Sequence, residues 1–204
     1  MKSLTQRDSV NIDVSFRCSL ECPNCQRTRY FKNQRVRGQD LSIEDFTKVA
    51  FHFKKIHFCG QFSDPVHHPK FIKLLEICHT NNNSVYIHNA SSAKSKDWYI
   101  KAFNTYPKAE WLFGIDGLPH QSHLYRKNQD GEKLFEIMLE AKKYLLKTPT
   151  WQYIVFKYNE NEVEEAKQIA KDNGLIFSLV VSSRWNGPFD PLIPTKEEYR
   201  MSEK

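Results

Sequence analysis

Apolar and polar residues alternate with two different periods along this chain, and the periods take turns. Val10-Asn11-Ile12-Asp13-Val14-Ser15-Phe16 alternates every second residue, as a half-buried strand does. From Ser42, a helix cap, the period lengthens, and Phe46, Val49, Ala50 and Phe53 share one helical face. Lys55 to Cys59 is a second, short strand. Pro69 suits a first helical turn, after which Phe71, Leu74, Leu75 and Cys78 recur at helical spacing. Ser84 to His88 is a third strand, followed by a helix from Ser95 to Phe103. Trp111 to Ile115 is a fourth strand, and Leu134, Ile137, Met138, Ala141 and Leu145 form the next helical stripe. Gln152 to Phe156 is a fifth strand. Asn161 and Glu164 have the form of a capping box ahead of Val163, Ala166, Ile169 and Ala170, and Gly174 ends that helix. Leu175 to Val181 is the sixth strand.

Strands that alternate with helices predict an α/β fold with a parallel sheet and right-handed crossovers. Several strands read as nearly continuous apolar runs, which predicts cover on both sheet faces. One domain over residues 1–183 is expected, with 184–204, bearing Pro188, Pro191 and Pro194, as an extended tail across one face. Each predicted strand runs into distinctive residues: Cys18; Cys59, Gly60 and Gln61; Asn89; Asp116 and Gly117; Lys157 and Asn159; Ser182, Ser183 and Arg184. In parallel α/β folds the carboxyl ends of the strands share one face, so these residues are expected to meet at one mouth.

Composition narrows the class. The 204 residues are 40% hydrophobic, enough for one core, with no apolar run long enough to span a bilayer. The start, Met1 to Arg7, is polar and has no signal-like apolar stretch, so a cytoplasmic protein is expected. The formal charge is +6, and Arg27, Arg29, Lys32, Arg35 and Arg37 concentrate it with no acid before Asp40. That stretch is either a solvated basic surface or a patch for an anionic partner. Of five cysteines, three crowd into Cys18-Ser19-Leu20-Glu21-Cys22-Pro23-Asn24-Cys25, which in a cytosolic setting reads as metal binding. Soft thiolates suit an iron–sulfur cluster or zinc. A structural zinc site is closed by four protein ligands, and no fourth stands nearby: Cys59 is distant, and Cys78 lies on an apolar helix face. Three thiolates on a cubane leave one iron open.

The Cys-x-x-x-Cys-x-x-Cys spacing directly after a first strand resembles the signature of the radical S-adenosylmethionine (SAM) superfamily. Other segments are similar to that family in the same order. Cys59-Gly60-Gln61-Phe62-Ser63-Asp64-Pro65 stands where the family has its Gly-Gly-Glu segment, with Gly60 matching strictly. Asn89 stands where relatives end the third strand in Thr-Asn-Gly, and Gly114-Ile115-Asp116-Gly117 resembles their Ser-Leu-Asp-Gly. His123-Leu124-Tyr125-Arg126 resembles His-Asp-x-x-Arg. The likeness runs from Val10 to Val181 and is nearest the branch of peptide-modifying enzymes with SPASM-type extensions. The chain departs from that branch in three places. Asn24 replaces a residue that is often aromatic, Gly114 replaces a serine that often contacts SAM, and no cysteine-rich extension for auxiliary clusters follows.

The resemblance implies a partial (β/α)6 barrel of parallel strands, the radical SAM core. It implies a [4Fe–4S] cluster on Cys18, Cys22 and Cys25, with SAM chelated by the open iron, cleaved on reduction, and yielding a 5′-deoxyadenosyl radical that abstracts hydrogen. Backbone groups of Cys59, Gly60 and Gln61 would receive the SAM amino group and Arg126 its carboxylate. Asn89, Asp116 and Asn159 would hold the ribose or line the substrate mouth. A peptide or protein substrate is expected, with a nucleotide or small metabolite as the alternative. An acidic electron donor such as a flavodoxin would dock on the basic stretch. Plain structural roles stand beside these: Asp116 as a turn cap with Gly117, Arg126 in a surface ion pair, Asn161 as a helix cap, and His67 and His68 as shapers of a helix entry. Competing classes are a zinc-containing nucleic-acid-binding protein and a radical SAM fold without catalysis. The first lacks any nucleic-acid-binding motif, so a nucleic-acid partner is not expected.

Overall fold

The structure is a computed structural model that describes residues 7–31 and 39–200. Six strands form one sheet in chain order: β1 (Arg7–Ile12), β2 (Phe53–Phe58), β3 (Ser84–Asn89), β4 (Glu110–Gly114), β5 (Thr150–Val155) and β6 (Ile176–Val181). Every neighbouring pair is parallel. β1 and β6 each pair on one side only, so the result is an open, partial (β/α)6 barrel. Helices α1 (Gln26–Phe31), α2 (Ile43–His52), α3 (Phe71–Thr80), α4 (Lys96–Thr105), α5 (Gly131–Ala141) and α6 (Val163–Asp172) form the crossovers. Three of them begin at side-chain caps. Ser42 accepts the Asp45 N–H at 3.0 Å, Ser95 that of Trp98 at 3.2 Å, and Asp130 that of Lys133 at 2.9 Å.

The core lies between the helices and one face of the sheet. Ile56, Phe58, Val85, Ile87, Trp111, Phe113, Trp151, Tyr153 and Val155 are buried there against Phe46, Leu74, Phe103, Leu134 and Met138. Trp111 stands edge-on to Phe103 at 5.0 Å and 88°, an arrangement that adds about 0.5–1.5 kcal/mol to simple area burial.

The other face corrects the expectation of a sheet covered on both sides. Lys55, His57, Tyr86, His88, Leu112, Gln152 and Ile154 point to the inner wall and are half-buried or exposed. An open six-stranded barrel leaves that wall accessible, so its positions tolerate polar groups. His57 stacks on Tyr86 at 4.5 Å and 7°, with Lys55 Nζ 5.9 Å from the same ring.

Three local expectations also change. The first strand occupies Arg7–Ile12, not Val10–Phe16, because Asp13 and Ser15 turn to partners outside the sheet. Pro69 stands before α3, whose cap is Lys70, and it is Pro65 that opens a 3₁₀ turn, Pro65–His67. Asn161 does not cap α6. Glu162 holds that place without a side-chain bond, after a run of turns organised by Asn159.

Candidate active site at the carboxyl ends of the strands

The cysteine loop leaves β1 and is held from three sides. Arg27 Nη2 donates to the Leu20 carbonyl from α1. The Glu21 N–H donates to the Lys127 carbonyl at 3.2 Å, and Asn128 Nδ2 to that of Ser19 at 3.3 Å, from the segment after β4. His67 Nε2 accepts the Ser19 N–H at 3.3 Å and lies 2.9 Å from the Ser91 hydroxyl. Burial holds the His67 imidazole below its ordinary pKa, in keeping with an acceptor nitrogen. Of the basic stretch, Arg27 and Arg29 each spend a guanidinium nitrogen on the loop, Arg29 reaching Asn24 at 3.2 Å while staying exposed. Lys32, Arg35 and Arg37 lie outside the described residues.

Cys18, Cys22 and Cys25 belong to a second apolar group, separate from the main core, with Leu20, Tyr125, Phe156, Tyr158, Trp185 and Leu192. Tyr125 and Phe156 stack at 4.1 Å. All three cysteines are free. Burial, with Asp64 adding to it, pushes the Cys18 thiol up to about 12. Burial lifts Cys22 to about 11 against the opposing charge of Arg126. Metal binding here must therefore expel thiol protons. Among the described residues, no three His, Cys, Asp or Glu side chains converge tightly enough to hold a single ion.

Gly60 turns the chain after β2 at φ +58°, and a Cβ there would lie 2.4 Å from the Ser63 carbonyl oxygen, so only glycine fits. Asp13 fixes this loop. Its carboxylate accepts the N–H groups of Gln61 (3.0 Å), Phe62 (3.2 Å) and Ser63 (3.1 Å), and the Ser63 hydroxyl at 2.9 Å. With those donors taken, what the turn keeps for a ligand is carbonyl oxygens, which suit an ammonium group. Cys59, half-buried at the end of β2, has its thiol raised by burial and by Asp13.

Asp64 ties this loop to the end of β3. Its carboxylate accepts the N–H groups of Ala90 (2.7 Å), Ser91 (2.9 Å) and Val66 (3.2 Å), and full burial still lifts it to about 6. Asn89 is buried, with Oδ1 accepting the Ser91 N–H at 3.1 Å. Gln129 Nε2 then joins the ends of β3 and β4, donating to the carbonyls of Ala90 at 2.6 Å and Gly114 at 2.9 Å.

Arg126 is not on the surface. Its Nε lies 2.8 Å from Oδ2 of the fully buried Asp116, a contact of charges without the alignment of a hydrogen bond. Burial opposes the charge of the guanidinium, but Asp116 and Cys22 hold its pKa above the usual value. The other oxygen of Asp116 accepts the Ile154 N–H at 2.9 Å, joining β4 to β5. A Cβ on Gly114 would lie 2.7 Å from Arg126 Nη2 and 3.0 Å from Cζ. The absent side chain is the space that the guanidinium fills. Asn159 is turned away from any ligand. Its Oδ1 accepts the Phe156 N–H at 2.7 Å and its Nδ2 donates to the Ile154 carbonyl at 3.1 Å, so it shapes the end of β5.

The structure thus gathers the three cysteines, Gly60, Asn89, Asp116 and Arg126 at one mouth, and spends Asn159 on the scaffold. Sequence reasoning missed Asp13, Asp64 and Gln129. The dipeptide Asp64-Pro65 signals a turn, but nothing local marks Asp13 or Gln129.

This architecture, with its site at the carboxyl ends of six parallel strands, is the fold of the radical SAM enzymes. Streptococcus suis SuiB superposes with a TM-score of 0.70 at 12% identity, over 94% of this chain and 43% of that one. Methylornithine synthase (PylB) superposes with a TM-score of 0.62 at 12% identity, over 93% and 57%. The enzyme anSMEcpe with bound AdoMet gives 0.59 at 14% identity, over 91% and 55%. The chain therefore spans about half the length of these proteins. No protein-family model and no curated protein matches it by sequence.

Proposed function

We propose that the chain is a SAM-dependent radical enzyme whose Cys18, Cys22 and Cys25 ligate a [4Fe–4S] cluster. The supporting observation is the gathering of three free thiols in one apolar group at the mouth of this fold, with Cys22 coupled in charge to Arg126. The donor set fits such a group. It is soft, it lies in apolar surroundings, and three thiolates on a cubane leave one iron open. When bound, the cluster and SAM supply a 5′-deoxyadenosyl radical on reduction. The chain's own part is to bind and orient. The carbonyls of the 59–61 turn would receive the SAM ammonium, because Asp13 has taken the donors of Gln61 and its neighbours. Arg126 would offer its Nη groups to the SAM carboxylate, with its Nε held by Asp116. Asn89, buried at the end of β3, would hold the ribose. The apolar group around Tyr125 and Phe156 excludes water from the reacting centre.

A peptide substrate is the reading we favour, since SuiB, a protein of this fold, has been seen bound to a precursor peptide, SuiA. The test is anaerobic reconstitution, followed by iron and sulfide analysis and detection of 5′-deoxyadenosine after reduction. The wild type should be brown and should cleave SAM. Cys18→Ala should lose both by roughly a hundredfold or more, since even outer-shell changes at metal sites cost 10–100-fold. A Cys18→Ala protein with full iron and full cleavage would overturn the assignment, as would a colourless zinc-loaded wild type.

A further inference from the structure

We infer that Asn24 is a positioning residue that latches the segment 184–200 over the cysteine loop, so that the chain supplies its own cap for the three thiols. Asn24 lies between Cys22 and Cys25 and is fully buried. Every polar atom of its side chain is engaged. Nδ2 donates to Asp190 Oδ2 at 3.1 Å, and Oδ1 accepts Asn186 Nδ2 at 2.7 Å and Arg29 Nη2 at 3.2 Å. Asp190, itself buried, closes the node by accepting the N–H groups of Asn186 (2.7 Å) and Leu192 (3.0 Å). A buried polar network in which each member is satisfied specifies one arrangement, because any opening strands its partners.

The rest of the segment is pinned on either side of this node. Arg184 Nη2 reaches Gln61 Oε1 at 2.9 Å, across the mouth from β6 to the turn after β2. The Lys157 N–H donates to the Leu192 carbonyl at 3.0 Å, and Glu160 accepts the N–H groups of Thr195 (2.6 Å) and Lys196 (3.1 Å). Trp185 and Leu192 then pack on the apolar group that holds the thiols, with Trp185 edge-on to Phe156 at 6.0 Å. The latch also accounts for the residue type at position 24. A phenylalanine ring there offers nothing for Asp190 to accept and no acceptor for Asn186, and a tyrosine or tryptophan carries its polar atom well beyond the reach of an asparagine, whereas the short amide serves both.

The latch rests on the cluster reading only for its consequence, the shielding of a bound cofactor, and it is tested without iron. The reduced, cluster-free 204-residue chain is treated with iodoacetamide, and the alkylation rate of each cysteine is followed by mass spectrometry. Cys78, fully buried in the main core, reports global opening. Asn24→Ala and Asp190→Ala should each speed alkylation of Cys22 by about tenfold or more through the lost hydrogen bonds, with Cys78 unchanged. Asn24→Asp alone should do the same, because two carboxylates then face each other. Combining it with Asp190→Asn exchanges donor and acceptor across that contact and should slow the reaction part of the way back, since the Asn186 N–H then loses its acceptor oxygen. An unchanged Cys22 rate in the single variants would overturn the latch. So would equal acceleration of Cys22 and Cys78, or failure of the exchanged pair to slow the reaction. None of these results depends on whether the thiols take a cluster, which the iron and 5′-deoxyadenosine assays decide separately.

Discussion

Gly114 and Arg126 are a single device written at two positions. The guanidinium occupies the volume a side chain at 114 would need, and Asp116 holds its charge in a buried pair. Arg126 is the far end of a flexible side chain, so a new Cβ at 114 could in principle be met by its withdrawal. That withdrawal, however, would leave Asp116 buried without its cation. Gly114→Ser should therefore destabilise the protein by about 3 kcal/mol, within the range for breaking a buried pair, and should weaken SAM binding in the reconstituted protein. Urea unfolding and calorimetric titration with SAM measure the two effects. The substitution matters because serine is the residue to which the family likeness points. From the sequence, Gly114 reads as a lost contact, and only the packing shows that the glycine is what lets Arg126 lie inward. Asn24 carries the same lesson. Its departure from an aromatic residue is plain in the chain, but its partners Asn186 and Asp190 lie more than 160 positions away and no local pattern marks them.

At the scale of elements, the alternation of periods was a sound guide, because each strand has one face on the core and each helix one apolar stripe. Ser42 and Ser95 mark helix starts for a local physical reason, and local reasons are legible. Connections between elements were less so. Asp13 follows the two-residue period of a strand, yet its carboxylate binds the loop after β2 and ends β1 early. Asp64 does comparable work between β2 and β3. Removing its carboxylate strands the buried N–H groups of Ala90 and Ser91 and uncaps Val66, at about 1–3 kcal/mol for each buried donor left unsatisfied. Asp64→Ala should thus cost roughly 3 kcal/mol or more by urea denaturation, with Asp64→Asn intermediate because one acceptor oxygen survives. If Asp64→Ala unfolds at the wild-type midpoint, the loop is not held by this carboxylate.

The whole molecule is an open barrel, and its openness shows in what the inner wall can carry. A closed barrel of this kind fills its interior with branched apolar side chains. Here the wall instead presents His57, Tyr86, His88 and Gln152, and the covered face alone supplies the core. Burial holds the His88 imidazole below its ordinary pKa, and the neighbouring His57 adds to the effect, while a hydrogen bond to Gln152 partly offsets it. His57 is lowered by burial and by Lys55, against Glu110. The sign follows from linkage. A histidine whose folded pKa is depressed stays neutral in the fold while the unfolded chain takes up a proton near pH 6.5, so its stabilising contribution is present above that pH and is lost as pH falls below it. Asp64 acts oppositely in an overlapping window, since a carboxyl raised to about 6 favours the fold as the pH drops. A single pH profile mixes the two, but a difference between variants does not. His88→Gln keeps a partner for Gln152 and removes the titration, so the stability gap between wild type and variant should shift in favour of the variant between pH 7.5 and 5. Thermal unfolding across that range measures it, and parallel profiles would show that His88 protonates as freely in the fold as in the open chain.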